Sequence, residues 1–433
     1  MSLSDVLDDR RVMPADVAAR MADPKAYGEW APIHRNLTWL RQNMPLALAN
    51  VDGYDPFWVV TKYEDIKEIG RQPTIFLNNG IRKTLINQDF ARRSDEALAE
   101  GRKPFNRSLL TMDAPEHMRY RLIAAPRFSP KSVKTLTDKV REIARGVFDR
   151  LEGDGGECDF MDTVSNRYPL RVIIALLGLP PEDEDMLLDM TQRFFSPSDP
   201  DVTAEQKGNS IGATANHDVA HEMFEYFSAI VAERRRNPGD DIASVIANAQ
   251  IDGKPIELFD AASYYMTIAT AGHDTTASST GGAVWALAER PDEFAKVKAN
   301  RKLIPSLMYE AVRWTSPVSH FMRTATADYT LRGQQIRAGD WLMLCYPSAN
   351  RDEDIFPDPF EFRADRVPNP QLGFGFGAHV CLGQHLAKLE MQIFFEELFN
   401  RVDLVELAGE PRRFDSIVVG GVKRLPLRYR LAK

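Results

Sequence analysis

Residues 373 to 387, Gly-Phe-Gly-Phe-Gly-Ala-His-Val-Cys-Leu-Gly-Gln-His-Leu-Ala, constrain this chain more than any other stretch. Gly373, Gly375 and Gly377 alternate with Phe374 and Phe376, which allows a tight backbone path that side chains would block. A helical pattern then begins at once, with Leu382, Leu386, Leu389, Ile393 and Phe394 on one face. Cys381 therefore stands at a helix N-terminus. There, free amide N–H groups and the positive end of the helix dipole favour the thiolate and lower its pKa. His379, two residues earlier, adds a cationic or hydrogen-bonding neighbour.

A thiolate held in this way suits axial ligation of a heme iron. Spacing alone leaves other readings open. An iron–sulfur cluster normally takes four cysteines, and the chain has Cys158, Cys345 and Cys381, far apart. A zinc site from His379, Cys381 and His385 lacks a second ligand pair. A dinucleotide loop meets Ala378 at its third glycine position. The last alternative is an inert cysteine in a turn.

The run resembles the heme-binding signature of the cytochrome P450 family, Phe-x-x-Gly-x-x-x-Cys-x-Gly, with every defining position filled from Phe374 to Gly383. The resemblance implies a heme cofactor with Cys381 on its iron and Phe374 beside it.

The longest helical pattern runs from about residue 258 to 290, stopped by Pro291, and would span roughly 45 Å. Its middle reads Ala271-Gly272-His273-Asp274-Thr275-Thr276. These are poor mid-helix choices, glycine alone costing up to about 1 kcal/mol. A local rule broken at the centre of a long element points to function. The alternative is a kink at Gly272 relieved by threonine back-bonding. The segment resembles the family's distal oxygen-activation motif. That implies a hydrogen bond from Thr275 to dioxygen, a proton relay through Asp274, and a groove at Ala271 and Gly272 wide enough for dioxygen and water.

Glu310 and Arg313 lie three residues apart in a helical pattern bounded by Pro305 and Pro317, so they neighbour one another on one face. An exposed pair of this kind contributes under about 1 kcal/mol. The pair resembles the family's Glu-x-x-Arg, however, and Arg366 stands where the family places a third member. The resemblance implies a structural network behind the cysteine loop, without a catalytic role. It also implies that His117, Arg121, Arg323 and His379 hold the two heme propionates, which need such partners when buried.

Helical stripes dominate elsewhere, as in Leu136, Val140, Ile143, Val147, Phe148 and Leu151, or Val219, Met223, Phe227, Ile230 and Val231. Strand-like patches are short: Phe57 to Val60, Tyr329 to Arg337 turning at Gly333, and Trp341 to Tyr346. The pattern predicts a mainly α chain with small antiparallel β-sheets, and the resemblance implies the cytochrome P450 fold. No linker or repeat divides it, so residues 1–433 read as a single domain.

A formal charge of −8 argues against a general nucleic-acid binder. The first thirty residues hold no apolar leader, and no run approaches eighteen apolar residues, so neither a signal peptide nor a membrane anchor is expected. Three scattered cysteines fit a reducing cytoplasm.

Together the resemblance implies a monooxygenase that consumes dioxygen and two electrons. No flavin or iron–sulfur module is present, so electrons from NAD(P)H are expected through separate partners, ferredoxin and ferredoxin reductase. Arg119, Arg121 and Arg127 offer a basic docking face for an acidic ferredoxin. Two other readings are a heme-thiolate sensor without turnover and a peroxide-driven peroxygenase. Pocket candidates are Thr267, Thr270 and Ala271, then Val318 to Phe321, and Ile417 to Val419. They are mainly apolar and fit a compact terpenoid or aromatic hydrocarbon.

Overall fold

The computed structural model describes residues 11–101, 103, 107–195, 199, 201 and 213–432. Its helices gather round one that crosses the molecule, Leu258–Glu289. This helix buries residues on all sides, from Ala261 and Tyr265 to Ala283 and Leu287. That is the pattern of a helix enclosed by protein. Helices Arg167–Leu177, Ala213–Arg236, Ile304–Thr315 and Gln384–Arg401 pack against it. It ends at the expected place, where Arg290 leaves the helical conformation and Pro291 opens the next helix, Pro291–Ala299.

The sheets are small. One has five strands in the order Leu46–Ala49, Phe57–Val60, Trp341–Cys345, His320–Ala325 and Phe76–Leu77. Side chains alternate between two apolar clusters. Ala47, Ala49, Phe57, Val59, Trp341 and Met343 face one, while Leu46, Leu48, Trp58, Val60, Leu342 and Leu344 face the other. The expectation of antiparallel pairing needs one correction here. Phe57–Val60 runs parallel to Trp341–Leu344, with Phe57 opposite Trp341. Strands covered on both faces tolerate this, and their sequences read as unbroken apolar runs.

Tyr329–Leu331 and Gln334–Ile336 form the expected hairpin, turning at Arg332 and Gly333 with φ of 50° and 73°. The strand His320–Ala325 follows Pro317 and is tied to the C-terminal turn. The Ser319 N–H donates to the Val418 carbonyl at 2.8 Å, and the Gly420 N–H to the Pro317 carbonyl at 2.8 Å. Among the described residues no helix is long and apolar enough to cross a membrane.

Candidate active site

Between the long helix and the glycine-rich loop lies a cavity of about 600 Å³. Thr267, Thr270, Ala271, Gly272 and Thr275 line it from the helix, and Val318, Phe321, Ile417 and Val418 from the opposite wall. Phe374 and Cys381 line it from the loop, with His117, Arg121, Arg323 and His379 nearby.

The loop is held by main chain. Gly375 and Gly377 adopt φ of 72° and 79°, which L side chains resist. Gly377 also abuts the carbonyl of Gly70, the last residue of helix Tyr63–Gly70, leaving no room for a Cβ. The Cys381 N–H donates to the Phe374 carbonyl at 2.8 Å. Two residues on, Gly383 caps helix Gln384–Arg401, and the amides of Gly383 and Gln384 donate to the Cys381 sulfur. The expected lowering of the thiol pKa is reversed. Burial pushes the Cys381 thiol up, outweighing those amides and the charges of Arg121 and Lys388. Phe374 sits with its ring 5.2 Å from the Lys388 ammonium.

Beside the loop is a cluster rich in donors. The rings of His117 and His379 lie 4.0 Å apart, and Asn78 Nδ2 is 2.7 Å from His379 Nε2. Arg121 donates to the Val380 carbonyl at 2.8 Å, and Arg323, 6% exposed, to the Met322 carbonyl at 2.8 Å. Burial, then the charges of His117, Arg323 and Arg121, push the His379 pKa down to about 3. His379 is neutral, not cationic as the sequence allowed. Burial and Arg121 likewise lower His117. Among the described residues no carboxylate ion-pairs with His117, Arg121 or Arg323. Donors without an anionic partner beside a buried thiol fit a group bearing two carboxylates and a thiophilic metal, and heme is such a group.

The long helix is unbroken at the residues that looked unfavourable for it. Thr267, Thr270 and Thr275 each donate their hydroxyl to the carbonyl four residues earlier, all at 2.8 Å. These bonds satisfy the hydroxyls internally. Gly272 does not widen the groove as expected, because a Cβ there would lie 2.5 Å from Ile173 Cδ1 and the room goes to that side chain. Asp274 stands off the cavity wall. Its side chain is 14% exposed, with Oδ2 3.5 Å from Nδ1 of the fully buried His273 and without a hydrogen bond. His273 Nε2 in turn lies 3.0 Å from the Asn166 carbonyl.

Glu310 and Arg313 are both fully buried, and two bonds of 2.7 and 2.8 Å join them. Arg366 reaches Glu310 at 3.2 Å, Asn369 Nδ2 at 2.9 Å and the Arg363 N–H at 2.9 Å. Burial alone would raise the Glu310 pKa, but Arg313 and Arg366 hold it below the usual range. Arg313 also donates to the Asn350 carbonyl at 3.0 Å, and Asn350 Oδ1 accepts the Leu372 N–H at 2.7 Å, one residue before the glycine-rich loop.

Sequence reasoning missed Asn78 and Lys83, both polar and on the cavity wall, and gave no role to His320, which lies within the stretch Val318 to Phe321. The only hint for His320 was its place among the apolar residues after Pro317. On the surface, Arg119 is paired with Asp252 at 2.6 Å and Arg127 with Asp240 at 2.7 Å. These pairs weaken the expected basic docking face.

Comparison with known proteins gives a consistent picture. Residues 25–427 match the family model described as Cytochrome P450. The chain is 44% identical to Cytochrome P450-terp of a Pseudomonas species over 429 residues, covering 98% of this chain and 99% of that protein. Linalool 8-monooxygenase of Pseudomonas putida is 31% identical, with 94% and 97% covered. The crystal structure of CYP108D1 from Novosphingobium aromaticivorans superposes with a TM-score of 0.88 at 43% identity, covering 98% of this chain and 100% of that one. By sequence, fold and family model, the chain belongs to the cytochrome P450 monooxygenase family.

Proposed function

We propose that this chain, a single domain acting in the cytoplasm, hydroxylates a compact terpenoid or aromatic hydrocarbon. It would use dioxygen and two electrons that a ferredoxin delivers from NAD(P)H through ferredoxin reductase. Family membership brings heme and dioxygen-dependent monooxygenation with it. The carrying observation is the apolar wall facing Cys381: Ala271, Val318, Phe321, Ile417 and Val418, with the hydroxyls of Thr267 and Thr270 turned back onto their helix. The relatives named for terpene chemistry, P450-terp and linalool 8-monooxygenase, support the same class.

One substrate C–H becomes C–OH, and the other oxygen atom leaves as water with two protons and two electrons. Bound heme supplies the oxidation chemistry. Cys381 would ligate the heme iron through its thiolate, His117, Arg121, Arg323 and His379 would take its carboxylates, and Phe374 would shield the sulfur. Ala271 keeps the helix side of the cavity shallow, and Gly272 lets the helix sit against Ile173. The Thr275 hydroxyl, its hydrogen engaged on the Ala271 carbonyl, offers a lone pair to a water in the cavity. Asp274, partly exposed and beside that threonine, passes protons inward from solvent. Glu310, Arg313 and Arg366 hold the loop in place from behind. Helix Glu116–Ala124, which sends Arg121 to the loop, exposes Met118 and Leu122 and offers the ferredoxin an apolar face.

The test is a titration of the heme-loaded protein with terpenoid alcohols and alkylbenzenes, followed by turnover with NADH, a ferredoxin and its reductase. A shift of the Soret band and a hydroxylated product are expected. A protein that turns over with none of them, or only with hydrogen peroxide, would overturn the proposal.

A further inference from the structure

We infer that Lys83 is an anchor for a carboxylate, so that the substrate is an apolar body bearing one anionic group. This inference rests on the monooxygenase reading above and amends its substrate from a plain hydrocarbon to one that carries a carboxylate. Lys83 ends the turn Gly80–Lys83 and lines the cavity with Ile81, Thr84 and Leu85. The turn is tied at both ends. The Asn78 and Asn79 N–H groups donate to the Asp113 carboxylate at 2.8 and 3.0 Å, and the Leu85 N–H donates to His320 Nε2 at 3.0 Å.

The neighbouring charge shows what Lys83 lacks. Arg82 is paired with Asp95 at 2.8 Å and stacks 4.9 Å from the Trp341 ring. Lys83 is half-buried against the cavity and, among the described residues, has neither an ion pair nor a hydrogen bond. Burial pushes the pKa of its ammonium down to about 8. His117, Arg121, Arg323 and His379 form a separate group beside the glycine-rich loop. A desolvated ammonium without a counter-charge is costly to keep, and an anion arriving from the cavity removes that cost. A carboxylate gives lysine a charge-assisted hydrogen bond in a low-dielectric site, whereas a neutral amide of the same shape does not.

The experiment uses para-alkylbenzoates, from methyl to hexyl, and the matching benzamides. Binding to the heme-loaded protein is followed by Soret shift and by calorimetry. In the wild type, at least one chain length should bind at least tenfold more tightly as benzoate than as benzamide. Lys83→Met should remove that preference while leaving benzamide affinity within threefold, and Lys83→Arg should restore most of it.

Three results would overturn the inference. One is no chain length at which the benzoate outbinds its amide. Another is a preference that survives in Lys83→Met, which would make the lysine stem a mere apolar lining. The third is loss of heme from Lys83→Met, which would set the amine against the cofactor instead. Failure of the broader reading looks different: benzamides and alkylbenzenes would also leave the Soret band unmoved and unoxidised.

Discussion

His320 accepts the backbone N–H of Leu85 on its Nε2, so its Nδ1 carries the hydrogen and donates to the Ile417 carbonyl at 2.8 Å. One neutral imidazole thereby joins three cavity walls: the segment after Lys83, the strand His320–Ala325 and the turn at Ile417.

Acid should loosen this joint. Burial lowers the His320 pKa from 6.5 to about 4. Between those values the unfolded chain binds more protons than the folded one. The stability tied to the neutral ring is therefore complete above pH 6.5 and is lost as pH falls from 6.5 towards 4. Glutamine reproduces both bonds without titrating. Relative to His320→Gln, the wild type should lose on the order of 2–3 kcal/mol between pH 7 and pH 4.5 in urea unfolding of the heme-loaded proteins. A difference that stays constant across this range would count against the joint.

Removing Glu310 strands Arg313 and Arg366 in the interior, at a cost of about 3–5 kcal/mol. Glu310→Ala should give insoluble or heme-poor protein, read as the ratio of Soret to protein absorbance. Soluble and fully heme-loaded Glu310→Ala would show that the network is dispensable.

Thiolate ligation has a spectral signature. The reduced carbonyl complex should show a strongly red-shifted Soret band, lost in Cys381→His and retained in Cys158→Ser and Cys345→Ala. Survival of the band in Cys381→His would reassign the ligand.

Thr275 and Asp274 should fail differently. Thr275→Ala should bind heme and substrate and still consume NADH, with product per NADH falling several-fold as hydrogen peroxide rises. Asp274→Asn should slow turnover instead, because the carboxylate is the link to solvent protons. Unchanged coupling in Thr275→Ala would leave the threonine as a residue that only satisfies the Ala271 carbonyl.

What could be read in advance followed from local rules. The loop glycines around Cys381, the length of helix Leu258–Glu289 and its stop at Pro291, and the spacing of Glu310 and Arg313 all act over a few residues. Pairing Phe57–Val60 with Trp341–Leu344 joins distant segments, and no short-range pattern reports its parallel sense. The strand His320–Ala325 was missed because buried His320 and Arg323 break its apolar character. The thiol pKa was misjudged since proximity to a helix start is visible in sequence, while the depth of burial that outweighs it is not. Nothing local marks Lys83, which only the fold puts on a cavity wall.

Gly377 rests on the Gly70 carbonyl, main chain against main chain. Such a contact has no rotamer to adjust and no methylene to compress, so it behaves as a hard stop. The depth of the Cys381 sulfur is then a dimension of the backbone, gauged from the end of helix Tyr63–Gly70 rather than from the side chains of the pocket. Seat and guest room are mechanically decoupled: the walls at Val318, Phe321 and Ile417 can be rebuilt for other guests without moving the sulfur.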